Sequence, residues 1–359
     1  MGIEKKLQRP YFNLRGMTLV ELLLAMAIAA VILSGVLQLY ASSVQNNRVV
    51  LSSSIIQENA RFAFSLLERD LIQAGAGGCF SMTSAETRQR MVNALKINTG
   101  KNNEFDFSRA VLGQDDVGKN GSDRLTVRFF DHKQRILITA YGGDNSGVLR
   151  LDTADKDYWS LKQGDIVYIA NCARAAVFML TNVPAGDGVI NFSTHSAAPA
   201  NHAMNPGQEN STLDLKFGDR FVVDENTLDS NMANGSLAYL YAGDSRVIYK
   251  IDNSANANSL GGTCTGSQPQ YCALFRNNEE LVEGVHQFDV LYGWQDGNEV
   301  LRYGDWAAVN NAGAELSIDR IQISLAFNSL DHVAKSITQS PMVKQITRVF
   351  MLRNQLPVY

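Results

Sequence analysis

The sequence predicts an α+β fold in which one long N-terminal helix lies against an antiparallel β-sheet head. Three observations predict it: an apolar run over residues 17–41, a stretch from Val36 to Ala74 with neither proline nor glycine, and short β-branched and aromatic runs parted by Gly, Asn and Asp after residue 79. The helix comes first. Residues 17–41 are apolar apart from Thr18, Glu21, Ser34 and Gln38, and about 20 such residues cross the hydrocarbon core of a bilayer. Gly35 is the one weak point before the helix continues outward. A helix from Met17 to Ala74 would measure about 87 Å at 1.5 Å per residue. Leu51, Ile55, Phe62 and Leu66, extended by Leu67 and Leu71, share one face and are expected to form its core stripe. The run Ala74-Gly75-Ala76-Gly77-Gly78 should end the helix, because glycine supplies left-handed terminal conformations.

Strands are expected over residues 124–130, 135–141, 165–170, 175–180, 246–251, 285–292, 318–327 and 345–352. Residues 193–211 and 252–270, rich in Ser, Asn, Ala and Gly, read as long loops. The head has room for two sheet subdomains divided near residues 190–210.

The chain has 359 residues, 45% of them hydrophobic, enough for one large or two ordinary domains around a sizeable core. The first sixteen residues carry Lys5, Lys6, Arg9 and Arg15 against Glu4, a net +3, so a formal total of -4 leaves -7 on the remainder. An acidic body opposes broad phosphate neutralisation, and no direct nucleic-acid binding is expected. The basic leader keeps the N-terminus cytoplasmic and places the bulk of the chain across the membrane.

Cys79, Cys172, Cys264 and Cys272 in an export-directed chain favour two disulfides, with three pairings open. The turn-rich segment between Cys264 and Cys272 favours that pair, which leaves Cys79 with Cys172; a buried free thiol is the alternative. No CxxC, HExxH, GxSxG, P-loop or dinucleotide fingerprint occurs, so no catalytic residue, metal or cofactor is indicated. His132, His195, His202, His286 and His332 are scattered. Residues 144–147 and 152–157 cluster oxygen donors without EF-hand spacing, and read as turns rather than a calcium site. Trp294, Tyr303 and Trp306, near Asp296 and Asp305, read as core, the usual place of aromatics in strand-rich regions, with an exposed contact surface as the alternative.

Arg15-Gly16-Met17-Thr18-Leu19-Val20-Glu21 places a glycine before the apolar run and a carboxylate at its fifth position. This resembles the signal of the prepilin family, so a type IV pilin-like fold is implied. The resemblance implies cleavage after Gly16 by a prepilin peptidase, N-methylation of Met17, and a Glu21 that pairs with the N-terminus of a neighbouring subunit during assembly. Met17 departs from the family's usual phenylalanine but is similarly apolar. A signal anchor with an incidental glutamate is the plain alternative.

The stretch Arg61-Phe62-Ala63, Leu67-Glu68-Arg69-Asp70-Leu71, Ala74-Gly75 and Gly78-Cys79 resembles the PilW family of minor pilins, with Gln73 in place of the usual basic residue. Tyr249-Lys250-Ile251, Leu274-Phe275-Arg276, Leu281-Val282-Glu283-Gly284-Val285, Phe288 and Tyr292-Gly293 resemble a progression shared by PilW proteins and the J-type pseudopilins of type II secretion. Residues 80–240 carry no such resemblance. The implied division is a leader over 1–16, a membrane and filament-core helix over 17–41, its continuation over 42–78, and an exported β-rich head over 79–359. The implied function is a structural minor pilin, not an enzyme, that primes or caps a type IV pilus for adhesion, twitching motility or DNA uptake. The alternative is a J-type pseudopilin. Implied partners are the prepilin peptidase, other minor and major pilins, a PilY-type tip adhesin, and the inner membrane before assembly. The head would be periplasmic first and at the pilus tip later.

Overall fold

A computed structural model describes residues 18–77, 80–81, 90–96, 105–130, 134–142, 146–171, 174–194, 196–200, 207–212, 214–215, 238–242, 246–329 and 342–353. Helix α1 (Leu19–Gln73) is a single element of 55 residues, about 83 Å long. It begins two residues later than expected because Thr18 acts as the N-cap, and it closes when Gly75 adopts φ 75° and donates its N–H to the Arg128 carbonyl.

Strands are numbered along the chain. A five-stranded sheet has the order β14-β13-β12-β5-β4, made from β4 (Val111–Gln114), β5 (Arg124–Arg128), β12 (Arg246–Asn253), β13 (Cys272–Arg276) and β14 (Glu279–Glu283). A four-stranded sheet has the order β16-β15-β17-β18, from β15 (Val285–Gln295), β16 (Leu301–Gly304), β17 (Ile318–Asn328) and β18 (Val343–Met351). A seven-stranded sheet has the order β10-β7-β6-β11-β8-β9-β3, from β3 (Met91–Asn93), β6 (Arg135–Tyr141), β7 (Val148–Leu151), β8 (Ile166–Ala170), β9 (Ala175–Met179), β10 (Val189–Asn191) and β11 (Tyr239–Tyr241). The short pair β1 (Ala76–Gly77) and β2 (Phe80–Ser81) follows α1. Pairing between these strands is antiparallel except where β3 joins β9. All eight expected strands are present, and the structure adds the shorter ones.

The order of the sheets revises the expected division. β5 and β12 are hydrogen-bonded neighbours, with Arg128 opposite Arg246 and Leu125 opposite Tyr249. The chain therefore leaves the five-stranded sheet after β5, builds β6 to β11, and returns beside its point of departure. Residues 190–210 fall inside that excursion, since β10 and β11 both belong to the seven-stranded sheet. The expected loop over 252–270 also holds a helix, α2 (Ala255–Leu260), whose N-cap Ser254 accepts the Ala257 N–H. A third helix, α3 (Trp306–Ala312), is capped by Asp305.

Burial explains the strand patterns. β8 and β9 are buried along their whole length, and their side chains alternate between two cores. Val167, Ile169, Ala176 and Phe178 join one core, while Ile166, Tyr168, Val177 and Met179 join the other. A sheet covered on both faces needs continuous apolar runs. The largest core lies elsewhere, and combines one face of α1 with the inner faces of the five- and four-stranded sheets.

Candidate functional site: the N-terminal helix and its seat in the head

Among the described residues, the apolar start of α1 stays uncovered by the head. An apolar window in it is long enough to cross a membrane by length and composition, and none of that window is buried. Its start is shaped by a capping box. The Glu21 N–H donates to Thr18 Oγ1 at 3.2 Å, while Glu21 Oε2 accepts the Thr18 N–H at 3.0 Å and the Thr18 hydroxyl at 3.1 Å. The sequence signal for the box is Thr-x-x-Glu at residues 18–21. Gly16 and Met17 lie outside the described residues. Glu21 is described, and its carboxylate is already used within its own helix.

The second half of α1 docks, on a face displaced from the expected one. Ile56, Ala60, Ala63, Phe64, Leu67 and Leu71 are buried in the main core. Of the expected stripe, Leu67 and Leu71 are inside and Leu66 is half-buried, but Leu51, Ile55 and Phe62 are 64%, 53% and 48% exposed. The physical reason is that this stretch of helix has apolar residues on two faces, and only one faces the sheets. Phe64 packs on Phe350 of β18 and carries the Arg348 guanidinium over its ring at 5.0 Å.

One polar contact fixes the register of that seat. Asp70 is 1% exposed. Its Oδ2 accepts from the Tyr249 hydroxyl at 2.7 Å and from Arg276 Nε at 2.8 Å, and its Oδ1 accepts from Arg69 Nε at 3.2 Å. Burial, and then the Asp70 charge, push the Tyr249 phenol well above its usual range. Asp70 belongs to the helical motif, and Tyr249 and Arg276 to the motif near the C-terminus. The structure joins two sequence resemblances that lie 179 and 206 residues apart. Nothing in the spacing alone could have paired them.

Cys264 and Cys272 form a disulfide that closes the turn entering β13, with both residues buried. Cys79 and Cys172 lie outside the described residues, as do His132, His195, His202 and His332. His286 is half-buried, and its Nδ1 lies 3.2 Å from the Asn328 side-chain amide. Asp152 and Asp155 accept the N–H groups of Ala154 and Asp157, the work of turn and cap residues, and Asp144 and Asn145 are outside the described residues. Among the described residues no group of three metal-ligating side chains occurs.

Trp294 and Trp306 are buried in the main core, whereas Tyr303 is exposed. The core reading therefore holds for the two tryptophans, and Tyr303 lies at the surface. Trp306 meets Tyr292 edge-on, and Asp115 accepts the N–H groups of Trp306 and Ala307. Tyr292 fits because Gly113 opposite it has no side chain: a Cβ there would stand 2.3 Å from the phenol oxygen.

Residues 12–37 match the family described as the prokaryotic N-terminal methylation motif. The matched span contains Gly16, Met17, Thr18 and Glu21, and supports a chain of the type IV pilin or pseudopilin class, anchored by its apolar helix, processed by a prepilin peptidase and associated with other pilins. No curated protein and no solved structure matches the chain.

Proposed function

We propose that the chain is a PilW-like minor pilin that primes or caps a type IV pilus. The observation that carries the reading is the free apolar half of α1, which begins within the methylation motif and is followed by a head that grips the helix's second half. A helix apolar on all sides and seated in nothing needs lipid or other helices around it. In this reading the peptidase cuts after Gly16, Met17 becomes the methylated N-terminus, and the helix moves from the inner membrane into the filament.

Glu21 then has a defined part. Its Oε2 is committed to Thr18, which leaves Oε1 to accept from the terminal ammonium of a neighbouring subunit. A carboxylate costs about 2.5–3.5 kcal/mol at the centre of a membrane helix; Glu21, in the first turn of α1, meets less of that cost, and the cap together with the positive helix terminus offsets part of the rest. The mature chain would have 343 of the 359 residues. A head enlarged by a seven-stranded sheet between adjacent strands fits the end of a thin filament better than its shaft, where a tip adhesin would meet it.

Replacing Gly16 with leucine should leave the full-length precursor in the membrane, read by its mass. Glu21→Ala should be cleaved normally yet be missing from sheared filaments. Normal processing of the Gly16 variant would refute the cleavage assignment. Loss of piliation on deletion supports a pilus; loss of protein export with intact pili assigns the chain to the J-type pseudopilins.

A further inference from the structure

The edges of the sheets are not alike. β10 is three residues long, and its outer side is already occupied: the Asn182 side chain donates to the Val189 carbonyl and accepts the Asn191 N–H. β14 carries Glu279, Glu280 and Glu283, and its pairing with β13 is broken by a bulge. β4 and β16 have four residues each. Short, charged or bulged edges resist further pairing. β18 differs, with nine residues, no proline, no acidic residue and an unbroken register against β17 from Val343 to Met351.

The two ends of that ladder tell which backbone groups face outward. Leu352 donates its N–H to the Asp319 carbonyl, and the Met342 carbonyl accepts the Ser329 N–H. Residues of even number in β18 therefore bond to β17, and antiparallel geometry turns the N–H and C=O of Val343, Gln345, Thr347, Val349 and Met351 away from it. None of these groups has a partner among the described residues. The side chains divide the same way. Ile346 and Phe350 pack toward the core, while Val343, Gln345, Thr347, Val349 and Met351 are exposed. The cations Lys344 and Arg348 lie on the inner side, where the exposed Arg348 is steadied by the Phe64 ring.

We propose that the outer edge of β18 receives an extended segment of a partner protein as an additional antiparallel strand, and that the segment alternates apolar or β-branched with acidic residues. The main chain supplies the affinity and the side chains the choice. On the outer face the added side chains would lie beside Val343, Thr347, Val349 and Met351; on the inner face they would meet Lys344 and Arg348. A second copy of β18 is the poorer occupant, because pairing it with itself puts four cations on one side of the joint, and like charges on neighbouring strands repel.

The test uses the full-length protein in detergent micelles and a fluorescent synthetic peptide of about nine residues with valine and glutamate alternating. The expected result is saturable binding that slows hydrogen exchange across residues 343–351. Thr347→Pro should weaken binding at least about tenfold while lowering the melting temperature no more than Thr347→Val, which loses the same hydroxyl contact with Ser324, since the Thr347 N–H makes no bond to β17. Arg348→Glu should weaken it by a similar factor and shift preference to a valine–lysine peptide. Unchanged exchange in the unaltered protein, or full binding by both variants, would overturn the proposal. A peptide-independent dimer broken by Thr347→Pro would overturn it too, by giving the edge to a second copy.

Discussion

The two halves of α1 share a backbone but answer to different surroundings. From Leu19 to Tyr40 the large apolar side chains stay exposed on every face of the helix, so any stabilisation must come from lipid or neighbouring helices. From Ile56 to Ala74 one face is buried against two sheets, and the opposite face keeps Gln57, Glu58, Glu68 and Arg69 in solvent. Between them, Leu51, Ile55 and Phe62 continue the free apolar surface alongside the first docked residues. A helix of this kind is two devices in series, an anchor set by composition and a seat set by shape.

The sharpest way to break the seat is Asp70→Ala. It removes the acceptor shared by the buried Tyr249 hydroxyl and the half-buried Arg276 guanidinium, which should cost about 3–5 kcal/mol. Thermal or urea unfolding of the head reads it, and an unchanged midpoint would mean the contact does not secure the helix. Next comes a matched pair. Leu67→Ala, from the buried face, should cost about 2–5 kcal/mol, whereas Leu51→Ala should stay within about 0.5 kcal/mol. Equal losses at the two sites would erase the distinction between seat and free surface.

The smallest effect expected is alkaline. The folded protein holds the Tyr249 phenol above its ordinary value, so above about pH 10 the unfolded chain has released that proton while the folded chain retains it. The contribution is complete below the ordinary phenol range and is lost as pH rises past it. Melting curves between about pH 9 and about pH 11 should show the fall, and Tyr249→Phe should flatten part of it. Tyr168 and Tyr292, raised by burial, add to the remaining slope.

Much of this molecule is written locally. The apolar run, the uninterrupted helix and the glycines that end it, and the eight longer strands follow from composition and period, which need no partner. Thr18 and Glu21 were equally legible, since a capping box spans one turn. The turn between Cys264 and Cys272 brings its own ends together, so that pairing was open to reading as well.

What the sequence determined by itself is therefore the class of fold, the anchor and the methylation motif in which the anchor begins. Tertiary structure alone decided the rest. It chose which apolar face of α1 is buried, because Leu51, Ile55 and Phe62 are as hydrophobic as the residues that were taken inside. It put a seven-stranded sheet between the adjacent strands β5 and β12, a pairing fixed by hydrogen bonds across more than a hundred residues of chain. It brought Asp70 to Tyr249 and Arg276, and it left the outer edge of β18 without a backbone partner among the described residues. Each of these depends on contacts between residues far apart in the chain, and a local pattern holds no record of its distant partner.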